Sequence, residues 1–152
     1  KGESDWSWLK KVTDHPDIEI PIFGNGDVDS PEKAVFNKEN FGVDGIMIGR
    51  AAIGHPWIFR EIKHFMATGE HLPLPTLRER VDVCRKHLLT SVDWKGERLG
   101  IMEMRRHYTN YFKGMDHFKP FRLKLVGSDN LTEILDTLDT IADRFTEPAI
   151  TA

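Results

Sequence analysis

Two short apolar runs, each followed by a glycine-containing turn, constrain the fold of this chain more than any other feature. Ile20–Phe23 leads into Gly24–Asp27, and Gly45–Ile48 leads into Gly49–Ala52, with a helix-like segment between them. Two buried parallel strands joined by a crossover helix give this pattern. Glycine turns at the carboxyl ends of such strands let backbone N–H groups approach an anion closely. Because the last two units of a (β/α)8 barrel hold phosphate in this way, the sequence predicts a cofactor-phosphate site.

The candidate phosphate contacts are residues of the two turns. Backbone amides of Asn25, Gly26 and Asp27 would donate from the first turn, and the Asn25 side chain would add a bond to the cofactor. Gly49 and Arg50 would contribute from the second turn, where the Arg50 guanidinium can pair with phosphate through two hydrogen bonds. An ordinary turn and a surface arginine would explain either feature singly. Their coincidence after two strand-like runs favours a binding site.

The remaining segments predict helices on both sides of a proline-rich boundary. In the first part we expect three helices: Asp5–Thr13, one that Ser30 caps and that ends near Asn40, and one from His55–Trp57 to Ala67. Beyond Leu72–Pro75 we expect four: one from Thr76 to Gly96, Arg98–Lys113, one from Pro120 or Phe121 to Leu125, and one capped by Ser128 and Asp129. The predicted domains are therefore an α/β piece over residues 1–70 and a small helical bundle over residues 76–147.

Chain length limits how much of a barrel is present. A complete (β/α)8 barrel needs about 250 residues, whereas this chain has 152 and starts at Lys1 without a methionine. We therefore expect a fragment that holds the last two β/α units of a TIM barrel. Without barrel neighbours the two strands would expose an edge and apolar side chains. Self-association through this region, or partial disorder of it, is the expected result.

Composition argues against several other kinds of site. The single cysteine, Cys84, rules out a disulfide framework within the chain and lies in the apolar stripe of a predicted helix, which favours core packing. The seven histidines lack metal-ligand spacing, and no Ser/His/Asp grouping has motif context. No apolar run has the length of a membrane helix. We predict no catalytic residue and no metal site within this chain.

Charge is distributed unevenly although the net charge is only -3. Positions seven apart lie on one side of a helix, so Arg98 with Arg105, and Arg106 with Lys113, would form two neighbouring basic rows. With Arg122 and Lys124 they are the candidate RNA-binding residues, next to aromatic residues able to stack on bases. A solvated basic face with core aromatics is the alternative. The last predicted helix carries acidic side chains opposite its apolar stripe, and these predict a solvated face. They are Asp136, Asp139, Asp143 and Glu147.

Several of these motifs together resemble the tRNA-dihydrouridine synthases. They are Gly24–Asp27 after a strand, Asp44–Ala52 (DGIMIGRAA), Gly54–Phe59 (GHPWIF), and Arg105–Tyr108 within a terminal set of helices. The chain is similar in particular to the bacterial branch once labelled as nitrogen-regulation proteins. Its opening Lys1–Trp6 also looks like that family's segment before barrel strand 7. The resemblance covers nearly the whole chain.

The resemblance implies a cytoplasmic flavoprotein that uses FMN and NADPH to reduce a uridine in tRNA. It implies that Asn25, Gly26, Asp27, Gly49 and Arg50 contact the FMN phosphate. It also implies that the helical domain, including its basic residues, binds tRNA, while the target base is unstacked and placed against the flavin. No membrane partner is expected.

The resemblance also implies what this chain does not contain. The family's catalytic cysteine, its flavin-contacting lysine and its first six barrel strands would precede Lys1, and Cys84 matches none of them. The chain alone is therefore expected to be inactive and to retain little FMN. One departure is His55, where the family often has asparagine.

Two other functions stay open on the sequence. A stand-alone helical RNA-binding or regulatory module would use the basic helix without the flavin site. Another FMN-dependent barrel, such as a dihydroorotate or enoate oxidoreductase, would share the two glycine turns but not the Arg105–Tyr108 helix and the bundle.

Overall fold

A computed structural model describes residues 2–145, which divide into two compact units between Pro73 and Leu74. The first unit contains α1 (Ser7–Thr13), β1 (Phe23–Asn25), α2 (Pro31–Phe41), β2 (Gly45–Met47), a 3-10 turn (Arg50–Ala52) and α3 (Ile58–Thr68). The second unit contains α4 (Leu77–Lys95), α5 (Glu97–Tyr111), α6 (Lys119–Gly127) and α7 (Leu131–Phe145). Among residues 2–145, the helices are all too short or too polar to cross a membrane.

The predicted parallel strand pair is confirmed, but β1 starts later than predicted. The register pairs Phe23 with Gly45 and Asn25 with Met47. Ile22 does not belong to the strand, since its N–H donates to the Asp44 carboxylate at 2.8 Å instead of to a neighbouring strand. Ile20 is 72% exposed, and Pro21 has no N–H to donate. The prediction of a strand over Ile20–Phe23 is therefore wrong except for its last residue, and two of the predicted turn residues belong to the strand.

The core of the first unit lies on one face of this small sheet. The helices and the loop residues pack six buried apolar side chains there: Trp6, Val28, Ala34, Val43, Ile58 and Ile62. Side chains alternate between the two faces of a strand. Phe23 and Met47, which lie on the other face, are 67% and 58% exposed. One face of the sheet is thus covered and the other is open.

The sequence predicted the N-cap residue correctly for two helices and wrongly for a third. The Ser30 hydroxyl accepts a hydrogen bond from the Lys33 N–H at 3.2 Å, with Pro31 in the first turn. Thr76 and Glu79 form a reciprocal capping box at the start of α4. At α7 the prediction of Ser128 and Asp129 is wrong, because the side chain of Asn130 accepts the bond from the Glu133 N–H at 3.2 Å.

The second unit buries a larger set of side chains along the predicted helical stripes. Cys84 is fully buried, as predicted, and lies with Val81 and Leu88 on the inner face of α4. α4 packs against α5 and α7, and α6 packs against α5 and α7. The α4 and α5 backbones approach closely, since a Cβ atom at Gly100 would lie 2.7 Å from the Val92 Cα.

Two boundaries in the second unit differ from prediction. α5 ends at Tyr111, so Lys113 lies outside the helix and the predicted Arg106–Lys113 row does not form. Gly114, with a φ of 84°, follows shortly after, in the left-handed region that favours glycine. α6 begins at Lys119 and extends to Gly127, two residues beyond the predicted end. The predicted domain end at residue 147 lies outside the described residues.

Candidate cofactor cleft and basic surface

An open cleft of about 620 Å³ lies where β1 and β2 end. Its lining includes all five residues predicted to contact a cofactor phosphate: Asn25, Gly26, Asp27, Gly49 and Arg50. Val28, Asp29, Met47 and Ala51 complete the lining. Because the strands are parallel, their carboxyl ends bring the two turns together, as the sequence predicted for such a pair.

Asp27 and Arg50 make a direct ion pair at this cleft. The Arg50 Nη2 donates to Asp27 Oδ1 at 2.8 Å, and the Ser4 backbone N–H donates to Asp27 Oδ2 at 2.8 Å. The Ser4 bond is the main reason that the pKa of Asp27 lies below its usual range, with a smaller contribution from the Arg50 charge. The Arg50 side chain remains 87% exposed, so one side of the guanidinium faces solvent.

The first turn is packed tightly from behind by the N-terminal segment. The Trp6 indole N–H lies 3.0 Å from the Gly26 carbonyl oxygen and 3.1 Å from the Ser4 hydroxyl. A Cβ atom at Gly24 would lie 2.1 Å from the Trp6 ring, and one at Gly26 would lie 2.4 Å from the Ser4 Cβ. Glycine is therefore required at these two positions by packing, whether or not a ligand binds.

The second turn is open. A Cβ atom at Gly49 would have no neighbour within 4 Å. Within residues 2–145, the backbone amides of Gly49 and Arg50 donate to no protein acceptor. The Arg50 guanidinium, although it is paired with Asp27, remains largely exposed and adds donors to these two N–H groups.

The residues predicted to bind RNA fall into two groups in the structure. Arg105 forms one group by itself. The other group is exposed to solvent and comprises Arg98, Arg106, Lys113, Arg122 and Lys124.

Arg105 differs from the other predicted RNA contacts because it is held within the protein. Its Nη2 donates to Asp129 Oδ1 at 2.5 Å and to the Ser128 carbonyl at 3.4 Å. Its Nε is buried without a partner among the described residues. Its guanidinium is thus largely occupied in joining α5 to the loop before α7.

α6 is the most uniformly basic helix of the second unit. It carries Lys119, Arg122 and Lys124 and no acidic residue, and none of the three cations forms an ion pair within residues 2–145. Other cations of this unit are paired: Arg85 contacts Asp139, and Arg78 lies 3.7 Å from Asp143.

The expected solvated acidic face of the last helix fits the structure, although two of its carboxylates also pair with α4. Asp139 contacts Arg85 and Asp143 lies 3.7 Å from Arg78, yet their side chains remain 51% and 75% exposed. Asp136 is exposed and fits that expectation. Glu147 lies outside the described residues. The acidic residues of α7 therefore neutralise part of the positive charge of α4, which the sequence pattern did not show.

The described part of the chain holds no group of three or more side chains arranged to bind a metal ion. The thiol of Cys84 is fully buried, and burial raises its pKa to about 12. A thiol with that pKa is almost entirely protonated near neutral pH, so it is a poor nucleophile.

The family model for dihydrouridine synthase matches residues 1–146. The chain belongs to the dihydrouridine synthase family. It is 46% identical over 123 residues to a tRNA-dihydrouridine synthase B from Pseudomonas putida, an alignment that covers 81% of this chain and 36% of the relative. It is 36% identical over 143 residues to the protein of the same name from Vibrio cholerae, covering 94% of this chain and 44% of the relative. The family resemblance read from the motifs is thus confirmed.

Relatives with this name are longer than the present chain. The match to tRNA-dihydrouridine synthase B of Pseudomonas aeruginosa is 41% identical over 121 residues and covers 80% of this chain but 36% of the relative. The chain therefore spans less than half the length of the three relatives named here.

Sequence reasoning missed two features of this family member. Ser4 and Trp6 contact the first turn, and the only signal for this was the pair of glycines at 24 and 26, which allow such a close approach. His55, singled out as a departure from the family pattern, has its Nε2 2.8 Å from Glu61 Oε2 and its ring centroid 5.2 Å from that of Trp57. Its contacts lie within the first unit and hold the start of α3.

Proposed function

We propose that this chain is the C-terminal part of a flavin-dependent tRNA-dihydrouridine synthase, which reduces uridine to 5,6-dihydrouridine in tRNA with FMN and NADPH. Its first unit would supply the last two β/α units of a TIM barrel, and its second unit a helical bundle that binds tRNA in the cytoplasm. The observation that carries the proposal is the cleft between the two turns in a member of this family. Barrel enzymes bind phosphate at the corresponding ends of their strands.

The residues at the cleft fit the phosphate end of FMN. The amides of Gly49 and Arg50 and the exposed Arg50 guanidinium provide donors for an anion, and the space at Gly49 admits one. The Asn25 side chain would contribute from the first turn. The carboxylate of Asp27 would repel a phosphate, but its pairing with Arg50 and the Ser4 N–H offsets that repulsion.

FMN, when bound, supplies the hydride-transfer chemistry of such enzymes. The residues of this chain would bind and orient its phosphate end. The buried Cys84 has no access to a substrate, so it is not the acid of the reaction. We propose that the catalytic cysteine lies outside this chain, and that the chain alone forms no dihydrouridine and retains little FMN.

The RNA-binding role rests on the unpaired cations of the helical unit. Arg122 and Lys124, with Lys119 beside them on α6, would contact the phosphate backbone of tRNA, as would Arg98, Arg106 and Lys113. Arg105 is reassigned to a supporting role because of its bond to Asp129. Such contacts fix the position of folded RNA without reading its sequence.

A chimera tests the flavin site. This chain would replace the matching 36% of the Pseudomonas putida relative, and flavin absorbance would be measured after purification. We expect the chimera to carry flavin and Arg50→Ala to lose most of it. Arg60→Ala, which removes an exposed arginine of α3, is the matched control and should keep it. Equal flavin content in both variants would overturn the assignment of Arg50.

Filter binding of tRNA at several salt concentrations tests the RNA surface. Removing one phosphate contact should reduce the slope of log K against log salt by about 0.7–0.9. We expect Arg122→Ala to do this. Arg85→Ala, which removes a cation already paired with Asp139, should leave the slope nearly unchanged. An unchanged slope for Arg122→Ala and for Lys124→Ala would remove α6 from the RNA surface.

Self-association is proposed for the open face of the sheet. Phe23 and Met47 expose apolar surface there, and burying such surface is favourable. Sedimentation of the chain at increasing concentration should show dimers or larger species. A monomer across the whole range would argue against it.

A further inference from the structure

Ser4, Trp6 and Asp27 connect the N-terminal segment to both turns of the cleft through consecutive contacts. Trp6 is only 6% exposed, and its indole N–H bonds the Gly26 carbonyl. The Ser4 hydroxyl lies within hydrogen-bond distance of the same indole N–H, while the Ser4 backbone N–H holds Asp27. Asp27 in turn holds Arg50 of the second turn.

We propose that these three residues are positioning residues, which fix the first turn and hold Arg50 over the cleft for an anionic ligand. This inference rests on the proposed function, because it takes the ligand to be a phosphate group. It assigns Asp27 a role opposite to direct contact: its carboxylate acts on the ligand through Arg50. It also assigns Trp6 and Ser4 a function at the site, although neither lines the cleft.

The geometry of the first turn explains why such support is needed. Asp27 has a φ of 51°, and Gly26 has a φ of 136°. Gly26 adopts such a φ without steric cost, whereas Asp27 is an L-residue in the left-handed region, a conformation that persists where the surroundings hold it. The bonds from Ser4 and from Trp6 act on these two residues. Without these bonds the first turn would be free to relax, and Asp27 would no longer hold the Arg50 guanidinium next to the backbone amides of the second turn.

Asp27→Asn separates the positioning role from a simple charge effect. If Asp27 only opposed an anion by its charge, removing that charge would strengthen phosphate binding. If it positions Arg50, phosphate binding weakens, by about three- to tenfold for the loss of one such bond. Inorganic phosphate, titrated into the full chain while the Gly49 and Arg50 amide signals are followed by NMR, is the probe.

Trp6→Phe and Ser4→Ala test the remaining two residues. Trp6→Phe keeps an aromatic ring but removes the indole N–H, and we expect weaker phosphate binding and a more mobile Arg50 Nε signal. Trp8→Phe is the matched control, because Trp8 is 63% exposed in α1, which begins directly after Trp6, and should change neither quantity. Ser4→Ala removes the hydroxyl near the Trp6 indole but keeps the backbone N–H bond to Asp27, so we expect a smaller weakening of phosphate binding than in Trp6→Phe. Because Ser4 lies outside the core, this effect does not depend on the fold surviving the loss of Trp6.

The order of the Arg50 side chain, measured without phosphate, keeps the two proposals distinguishable. If Arg50 becomes mobile in Asp27→Asn and Trp6→Phe while no chain binds phosphate and the unsubstituted chimera carries no flavin, the positioning role stands and the proposed cofactor site fails. If wild type binds phosphate and Asp27→Asn binds it as tightly or more tightly with Arg50 unchanged, the positioning role is overturned. An Arg50 already as mobile in wild type as in Asp27→Asn would overturn it as well.

Discussion

The two units of this chain have similar lengths but bury very different amounts of apolar surface. Among the described residues, the first unit buries six apolar side chains, whereas the second buries fifteen. The first unit also exposes Phe23 and Met47 on an open sheet face. The described part of the second unit is all helical and has no such face. The second unit therefore carries its own core, while the first depends on whatever covers its sheet.

The same contrast holds for the predicted site residues. In the first unit, glycines and parallel strands fix the backbone, so residues of two distant turns meet at one cleft. In the second unit the prediction rested on counting charges, and one of the counted cations, Arg105, is already paired with Asp129. A motif that determines backbone conformation predicts proximity, whereas the sign of a side chain does not tell whether its charge is free.

The largest expected effect compares two methionines. Met104 is fully buried in the second unit, and Met47 is 58% exposed in the first. Met104→Ala should lower the free energy of unfolding by about 2–5 kcal/mol, and Met47→Ala by less than about 0.5 kcal/mol. Urea unfolding followed by circular dichroism measures both. At a concentration where sedimentation shows a monomer, a large loss for Met47→Ala would break the comparison, because it would mean that the sheet face is covered within the chain itself.

The next effect concerns close packing of α4 and α5. Gly100→Ala would force a Cβ atom against the Val92 backbone and should cost about 1–3 kcal/mol in thermal or urea unfolding. Gly127→Ala is the control, since a Cβ atom there has no neighbour within 4 Å. It should be neutral or stabilise by about 0.4–1 kcal/mol. Equal effects of both would show that the helices are farther apart than described.

A smaller effect compares the two confirmed helix caps. Ser30→Ala and Thr76→Ala should each cost about 0.5–2 kcal/mol. We expect the larger loss for Thr76, because its hydroxyl accepts the Glu79 N–H bond and also donates to the Glu79 carboxylate at 3.0 Å. Unfolding free energies at one pH give both numbers. A larger loss of unfolding free energy for Ser30→Ala than for Thr76→Ala would contradict this order and would indicate that the first unit is less stable than its core suggests.

The smallest expected effect is a pH dependence of the second unit alone. The ring centroids of His87 and His107 lie 4.9 Å apart between α4 and α5. Burial, and next Lys95 for His87 or His87 for His107, lowers the pKa of each below its ordinary value of 6.5. The unfolded chain then binds more protons than the folded chain at acid pH. The contribution of these two histidines to the unfolding free energy should therefore be fully present above pH 6.5 and decrease as the pH falls below that value.

Urea unfolding at a series of pH values checks this dependence. His87→Gln should make the acid limb of the curve shallower, while His15→Gln, which alters an exposed residue of the first unit, should leave the limb as steep as in wild type. Glu103, which favours the protonated form of His107, limits the size of the effect. A curve equally steep in His87→Gln and wild type would contradict the assignment.

Local rules predicted most of the secondary structure, and long-range contacts account for the errors. Ser30 and Thr76 cap helix starts with their hydroxyl groups, and Gly96 ends α4. Because these are local signals, α2 and α4 were predicted nearly to the residue. β1 was misplaced because the Asp44 side chain, 22 residues away, takes the Ile22 N–H. No local pattern contains that information.

The same reason explains which site residues were predictable. The cleft residues follow from strand ends and glycines, which are local signals. The pairing of Arg105 with Asp129, 24 residues away, depends on how α5 and the loop before α7 pack, so no local pattern could predict it. The support from Ser4 and Trp6 was equally hidden, because the family likeness of Lys1–Trp6 does not tell which groups these side chains contact.

Burial of Cys84 gives the helical unit an internal reporter of its own opening. It is the only cysteine in the chain, and in the closed state neither its accessibility nor its pKa allows reaction with an alkylating reagent. Modification can then proceed only through molecules in which α4 has separated from its neighbours. The alkylation rate of the unmodified chain thus measures how often this core opens, without any engineered label.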